Sequence, residues 1–113
     1  MSNSPETTIQ RSTIVDLIIM SAQDVMAMNG MDPEETIIGE ETRLIGNEAI
    51  LDSLGLVSLV VEVEQHLADD LEVTLILADE RAMSQKRSPF RSIGALADYV
   101  CDLVMEQGVH VER

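Results

Sequence analysis

The chain is poor in aromatic residues, with a single Phe, a single Tyr and no Trp among its 113 residues. Apolar residues nevertheless make up 45% of the sequence, so a core has to be built from Leu, Ile, Val, Ala and Met. Such a core suits packed helices. The length allows one hydrophobic core but not two. We therefore expect a single helical domain.

Basic residues are also scarce. The chain has 7 Lys and Arg but 21 Asp and Glu, which gives a formal net charge of -14. A surface of this charge repels nucleic acid and anionic lipid, and it speeds encounter with partners that carry basic patches. We therefore expect no nucleic-acid partner. Charge alone also fits a polyanion mimic or a metal buffer, but the carboxylates are scattered and form no acidic tail.

The sequence has one cysteine, Cys101, and therefore no internal disulfide framework. It also lacks a long hydrophobic run. The apolar stretch from Ile14 to Met20 is short, contains Asp16, and follows an N-terminus with Glu6 rather than a basic cluster. These features predict neither a signal peptide nor a membrane span. A cytoplasmic protein is the default expectation.

Three segments show helical periodicity. The first begins at residue 12 or 13 and stops at Asn29-Gly30, the second runs from Asp52 or Ser53 to near Ala68, and the third follows Ser92 and ends before Gly108. Cys101 lies on the apolar stripe of the third segment, so we expect a small core side chain rather than a reactive thiol.

The remaining segments complete the predicted organisation. Residues 30–50 form a long connection, residues 71–77 an extended or partly helical connector, and residues 78–83 a short helix. Residues 1–11 are polar and aperiodic, which is typical of a flexible N-terminal arm. We predict an all-α four-helix bundle at residues 12–107, with a C-terminal tail at 108–113.

The second helix carries more apolar surface than one core contact requires. At a hundred degrees per residue, one apolar face contains Leu56, Leu59, Val60, Val63 and Leu67, and a second face contains Leu54, Val57 and Val61. If the second face is exposed, it suggests a partner site or a ligand channel. The alternative is that neighbouring helices bury both faces.

Ser53 lies at the start of this helix, where free backbone N–H groups and the helix dipole favour a bound or attached phosphate. The structural alternative is an ordinary N-cap, with Asp52 or Ser53 accepting hydrogen bonds from the first turn. The two roles are compatible, because Asp52 can cap the helix while Ser53 points outward.

The segment "LDSLGLVSLVVEVEQHL" follows a long loop that contains "TRLIG" and precedes "SIGALADYV". In this order the motifs resemble an acyl carrier protein of the phosphopantetheine-binding family, and the resemblance covers about residues 12–107. The Asp-Ser-Leu triplet alone has low specificity. Its position before a Leu- and Val-rich helix in an acidic chain of this size makes the match more specific.

The resemblance implies that Ser53 is the attachment point of 4'-phosphopantetheine, which a phosphopantetheinyl transferase takes from coenzyme A. Asp52 and Leu54 match the residues that flank this serine in the family and would help the transferase to recognise it. The thiol of the cofactor would carry acyl groups as thioesters to enzymes of fatty-acid, lipid or secondary-metabolite biosynthesis. The carrier itself would not be an enzyme, since it only presents its cargo at high local concentration.

The resemblance also suggests a partner surface. Leu54, Val57 and Val61 would lie beside the cofactor where partner enzymes dock, and Glu62 and Glu64 would supply an acidic rim. The alternative for the apolar residues is that they pack as plain core.

The sequence departs from the family at two positions. Carriers of fatty-acid synthesis usually place acidic residues two and five positions after the modified serine, where this chain has Gly55 and Ser58. The departure suggests a dedicated set of acyl-transferring or acyl-modifying partners that make a more apolar contact.

Other classes of protein find less support. His66 and His110 stand alone in the sequence, and no His or Cys spacing suits zinc, so we predict no catalytic residue and no metal ligand. The alternative from a different class is an unmodified, acidic four-helix interaction module in which Ser53 is only a cap. In either case we expect a monomer.

Overall fold

The computed structural model describes residues 8–46, 49–78 and 88–113. These residues form three α-helices, one short 3-10 helix and two short strands. In chain order the elements are β1 (Thr8–Gln10), α1 (Arg11–Met28), a 3-10 helix (Pro33–Glu35), α2 (Ser53–Leu71), α3 (Ile93–Glu106) and β2 (His110–Glu112). None of the described helices combines the length and apolar composition that a membrane crossing requires.

The helix boundaries agree closely with the sequence. α1 ends at Met28 with Asn29 as its C-cap, and Gly30 follows with a φ of 79° that favours glycine. α3 begins after Ser92, whose hydroxyl accepts a hydrogen bond from the Ala95 N–H at 3.1 Å. α2 runs to Leu71, three residues further than the predicted end near Ala68, and Glu72 ends it in the left-handed conformation. The three long helices are therefore confirmed.

The predicted all-α four-helix bundle is wrong, because the described residues contain three α-helices and a parallel two-stranded sheet. The short helix predicted at residues 78–83 lies outside the described residues except for Ala78. The strands escaped prediction because each has only three residues, which is too short for an alternating pattern to stand out.

The sheet joins the two ends of the chain. β1 and β2 pair in parallel, with Ile9 opposite Val111, and both of these side chains are buried while their neighbours along each strand are exposed. The strands thus fall within the segments that we predict to be an arm and a tail. They extend the ordered part of the chain to residues 8–10 and 110–112.

One hydrophobic cluster unites the three helices. Its side chains that are almost completely shielded from solvent include Ile14, Ile18, Val25, Met26, Leu59, Val63, Leu67, Ile93, Leu96 and Val100. Cys101 is fully buried in the same cluster, and this burial raises the pKa of its thiol. Cys101 is therefore the small core side chain that the sequence predicts.

The long loop between α1 and α2 is held against the start of α3. The Leu44 N–H donates to the Arg91 carbonyl at 3.0 Å, and the Gly94 N–H donates to the Glu40 carbonyl at 2.9 Å. A Cβ atom at Gly94 would lie 3.1 Å from that same carbonyl oxygen, so a side chain would push the loop away. Leu44 is buried in the core cluster next to these bonds, so it anchors the second half of the loop.

Residues 72–78 form an irregular segment without helix or strand pairing. Burial alternates along it, since Val73, Leu75 and Leu77 are buried and the residues between them are exposed. This period of two is the pattern of an extended chain lying on a core. Of the two alternatives predicted for residues 71–77, the extended connector is observed from residue 72 onward, and Leu71 belongs to α2.

Arg11 ties three parts of the structure together. Its guanidinium lies 2.8 Å from a Glu40 carboxylate oxygen in the loop and 2.9 Å from an Asp98 oxygen on α3. An arginine is unfavourable in the first turn of a helix, where the dipole is positive, and the two carboxylates offset that cost. The hydrogen bond from Arg11 holds the pKa of Glu40 below its ordinary value.

A carboxyl whose pKa is lowered by folding stabilises the folded state above its ordinary pKa, and this contribution disappears as the pH falls through the folded pKa. We therefore predict that Glu40→Gln lowers the free energy of unfolding at neutral pH, and that its difference from the unmutated protein shrinks in acid. Chemical unfolding at a series of pH values measures this difference. Glu41→Gln, which changes the charge equally, should show no such trend, and equal behaviour of the two variants would contradict the prediction.

Candidate functional site

The start of α2 is set by Asp52. Its backbone is extended, and its side-chain Oδ1 accepts a hydrogen bond from the Gly55 N–H at 2.7 Å. The Leu56 N–H donates to the Asp52 carbonyl at 2.9 Å. Asp52 is therefore the N-cap, and Ser53 is the first residue of the helix rather than its cap.

Ser53 is exposed, and its hydroxyl makes no hydrogen bond to any residue in the described ranges. The first N–H groups of a helix have no acceptor within the helix, so the backbone around Ser53 carries a partial positive charge. An anionic group attached to this hydroxyl would lie in a favourable field. The arrangement is chemically suited to a phosphodiester.

Gly55 is buried one turn into α2. A Cβ atom there would lie 3.1 Å from the Asp52 Oδ1 atom and 3.1 Å from the Leu51 Cβ atom. A larger residue would disturb both the capping bond and the buried Leu51 side chain. This close packing gives a local structural reason for a glycine at this position.

The two predicted faces of α2 differ in exposure. Leu59, Val63 and Leu67 are fully buried, whereas Leu54 is 79% exposed and Val57 is 60% exposed. Val61 is also exposed, Val60 is buried, and Leu56 is half-buried between the two faces. The second apolar face is therefore exposed, as the partner-site interpretation requires.

An apolar groove of about 470 Å³ lies beside this exposed face. One wall is α2 and the other is the end of the extended connector together with Phe90, and the lining residues are Leu56, Val57, Val60, Val61, Glu64, Ile76, Ala78 and Phe90. Ile76 is 69% exposed at its edge. Leu56 and Val57 are three and four residues after Ser53 along the helix, so the groove begins about one turn from the serine.

The two acidic residues predicted as a rim have partners inside the molecule. The Glu64 Oε2 atom accepts a hydrogen bond from the Leu77 N–H at 2.7 Å and so holds the connector against α2. The Glu62 Oε2 atom lies 3.5 Å from His66 Nε2. A role for either residue in partner binding stays a prediction.

A cluster of carboxylates around His66 was not predicted from the sequence. Its Nε2 atom lies 3.9 Å from an Asp24 oxygen on α1, and its Nδ1 atom lies 3.6 Å from an Asp70 oxygen on α2. With Glu62, three carboxylates surround the imidazole. The repeated spacing of four residues between Glu62, His66 and Asp70 was a signal in the sequence, because such residues share one side of a helix.

No protein-family model, curated protein or solved structure matches the chain. These comparisons therefore assign it to no family. The resemblance to acyl carrier proteins depends on the motifs around Ser53.

We predict that Asp52→Ala lowers the free energy of unfolding by about 1 kcal/mol, the usual effect of losing an N-cap. Asp52→Asn is the matched control, because asparagine caps as well as aspartate and should keep most of the stability. Urea unfolding of both variants measures the difference. Equal losses would show that the charge of Asp52, rather than its capping bond, stabilises α2.

Val57→Glu should leave the melting temperature nearly unchanged, since substitutions on an exposed surface usually have small effects. Val63→Glu should lower it strongly, because it places a carboxylate in the fully buried part of the same helix. Thermal unfolding of the two variants checks this contrast. A comparable loss in both would show that Val57 belongs to the core.

Proposed function

We propose that this chain is an acyl carrier protein that carries acyl groups as thioesters on a 4'-phosphopantetheine arm attached to Ser53. The observation that supports the proposal is the position of Ser53, whose exposed side chain lies in the first turn of α2 while Asp52 does the capping. The hydroxyl is thus available for modification without loss of a structural hydrogen bond.

The attachment reaction belongs to a phosphopantetheinyl transferase. The Ser53 oxygen forms a bond to the phosphorus next to the pantetheine of coenzyme A, the phosphoanhydride bond breaks, and the nucleotide part leaves. The serine proton passes to a base of the transferase. The product carries an anionic phosphodiester at the positive end of α2, where the helix dipole stabilises it.

The net charge of -14 favours a transferase and acyl-handling enzymes with basic patches. Next to the attachment site, the contact offered to these partners is apolar, because Leu54, Val57 and Val61 are exposed. Gly55 and Ser58 lack the negative charges usual after the modified serine. These features support a dedicated set of partners in fatty-acid, lipid or secondary-metabolite biosynthesis.

The groove beside α2 supports a role in sheltering the cargo. Its volume of about 470 Å³ and its largely aliphatic lining suit a hydrocarbon chain. Leu56 and Val60 are among its lining residues, and an arm on Ser53 would begin about one helical turn away. A bound chain would bury the exposed part of Ile76 and gain the hydrophobic free energy of that contact.

We also propose a monomeric protein of the cytoplasm, where a lone buried cysteine is in keeping with a reducing compartment. A second candidate function is an unmodified protein-interaction module in which Ser53 carries no group. The exposed apolar face of α2 favours this candidate equally, since such a face suits a protein partner with or without a cofactor.

We expect the purified chain to gain one phosphopantetheine when it is incubated with coenzyme A and a broad-specificity phosphopantetheinyl transferase. Intact mass and peptide mapping measure the gain and its position. Ser53→Ala should abolish the gain and leave the fold nearly unchanged, because Asp52 still caps α2. Ser58→Ala, on the same helix, should load normally.

Loading of Ser53→Ala would contradict the assignment of the site. Failure of the unmutated chain to load with several transferases would support the unmodified interaction module instead. Circular dichroism of each variant shows whether a failure to load reflects a loss of structure.

A further inference from the structure

A cluster of possible metal ligands lies between α1 and α2, away from Ser53. It consists of Asp24 from α1 and of Glu62 and His66 from α2, and their ligand atoms all lie within 4.8 Å of one another. The imidazole nitrogen Nε2 is 3.5 Å from Glu62 Oε2 and 3.9 Å from Asp24 Oδ2. One nitrogen and two carboxylate oxygens from two helices thus converge on one point.

These distances are close to those required by a shared metal ion. Zinc binds imidazole nitrogen and carboxylate oxygen at about 2.0–2.2 Å, so two ligands at a tetrahedral angle are about 3.4 Å apart. The contact between His66 and Glu62 already has this spacing. Asp24 is farther from the imidazole, but its side chain is 55% exposed and free to adjust.

The second nitrogen of the imidazole has its own carboxylate. His66 Nδ1 lies 3.6 Å from Asp70 Oδ2. When Nδ1 carries the proton, it faces Asp70, and the lone pair of Nε2 faces Asp24 and Glu62. A carboxylate behind a ligating histidine fixes the tautomer and the ring orientation in many zinc sites. Asp70 is therefore placed on the Nδ1 side of the ring, where a small movement would bring it within hydrogen-bond distance.

The charges at the cluster also favour a cation. Asp24, Glu62 and Asp70 bring three carboxylates to one imidazole, and no Lys or Arg in residues 8–46, 49–78 and 88–113 pairs with them within 4 Å. The ion pairs formed by arginines in these ranges involve Arg11 and Arg113 at other places. A divalent ion at the cluster would offset the repulsion among these carboxylates, which no Lys or Arg side chain in the described ranges offsets.

We infer that Asp24, Glu62 and His66 form a binding site for a divalent transition metal ion of the zinc type, with Asp70 as a positioning residue. Imidazole together with carboxylates suits Zn²⁺ better than Mg²⁺, which prefers oxygen ligands alone. Because the ligands come from two helices, the ion cross-links α1 to α2 and stabilises the folded chain. The inference does not depend on the modification of Ser53.

The test uses the untagged, unmodified full chain after removal of metal with a chelator. We expect calorimetric titration with Zn²⁺ to show one binding site, and thermal unfolding to show a higher melting temperature with Zn²⁺ than with Mg²⁺ at equal concentration. The absence of Zn²⁺ binding would overturn the inference. An equal rise in melting temperature with Mg²⁺ would also overturn it, because it would reflect general screening of an acidic protein.

Variants test the assignment of the ligands. His66→Asn and Glu62→Gln should each remove most of the zinc-dependent rise in melting temperature, and Asp70→Asn should weaken zinc affinity by about tenfold, as expected for a residue that orients a ligand. His110→Asn and Asp69→Asn are matched controls outside the cluster and should bind zinc normally. Unchanged zinc binding in His66→Asn would overturn the assignment even if that variant has a lower stability without metal.

Discussion

The hydrogen bond from the Gly55 N–H to the Asp52 carboxylate, 2.7 Å long, determines where the second helix begins. It depends on the glycine, because a Cβ atom at Gly55 would crowd both Asp52 and Leu51. With Asp52 as the cap, Ser53 lies in the first turn with its side chain exposed. The starting point of the helix also determines which later residues face the core and which face solvent. Leu59 and Val63 point into the core, while the apolar surface that begins at Leu54 stays in solvent. The exposure of Ser53 and the position of the neighbouring apolar groove both follow from this one capping interaction.

Excess negative charge is the second constraint on the molecule. Because the chain has a net charge of -14, each of its few basic side chains has many carboxylates with which it can pair. Arg11 brings the start of α1, the long loop and α3 together by pairing with Glu40 and Asp98. Around His66 the carboxylates have no such cation among the described residues. We infer a metal site there, whereas the proposed attachment site at Ser53 lies toward the other end of α2.

Local features of the structure could be predicted from the sequence. Helix boundaries at Gly30 and Ser92 and the division of α2 into two apolar faces depend on residues within a turn or two of one another. The sequence left open whether Asp52 or Ser53 caps α2 and whether the second face is exposed. The parallel pairing of residues 8–10 with 110–112 could not be predicted, because it joins the two ends of the chain through three-residue strands. The four-helix prediction failed for this reason. The cluster at His66 was missed because Asp24 comes from another helix, although the spacing of Glu62, His66 and Asp70 was visible.

The proposed role of Ser53 requires that it carries phosphopantetheine in the cells that make the protein. The most direct measurement is the mass of the protein isolated from the cells that make it, followed by fragmentation of the peptide that contains Ser53. We expect a phosphopantetheine, with or without an acyl group, bonded to the oxygen of Ser53. A protein that is wholly unmodified at Ser53 under growth conditions that load other carriers in the same cells would contradict it.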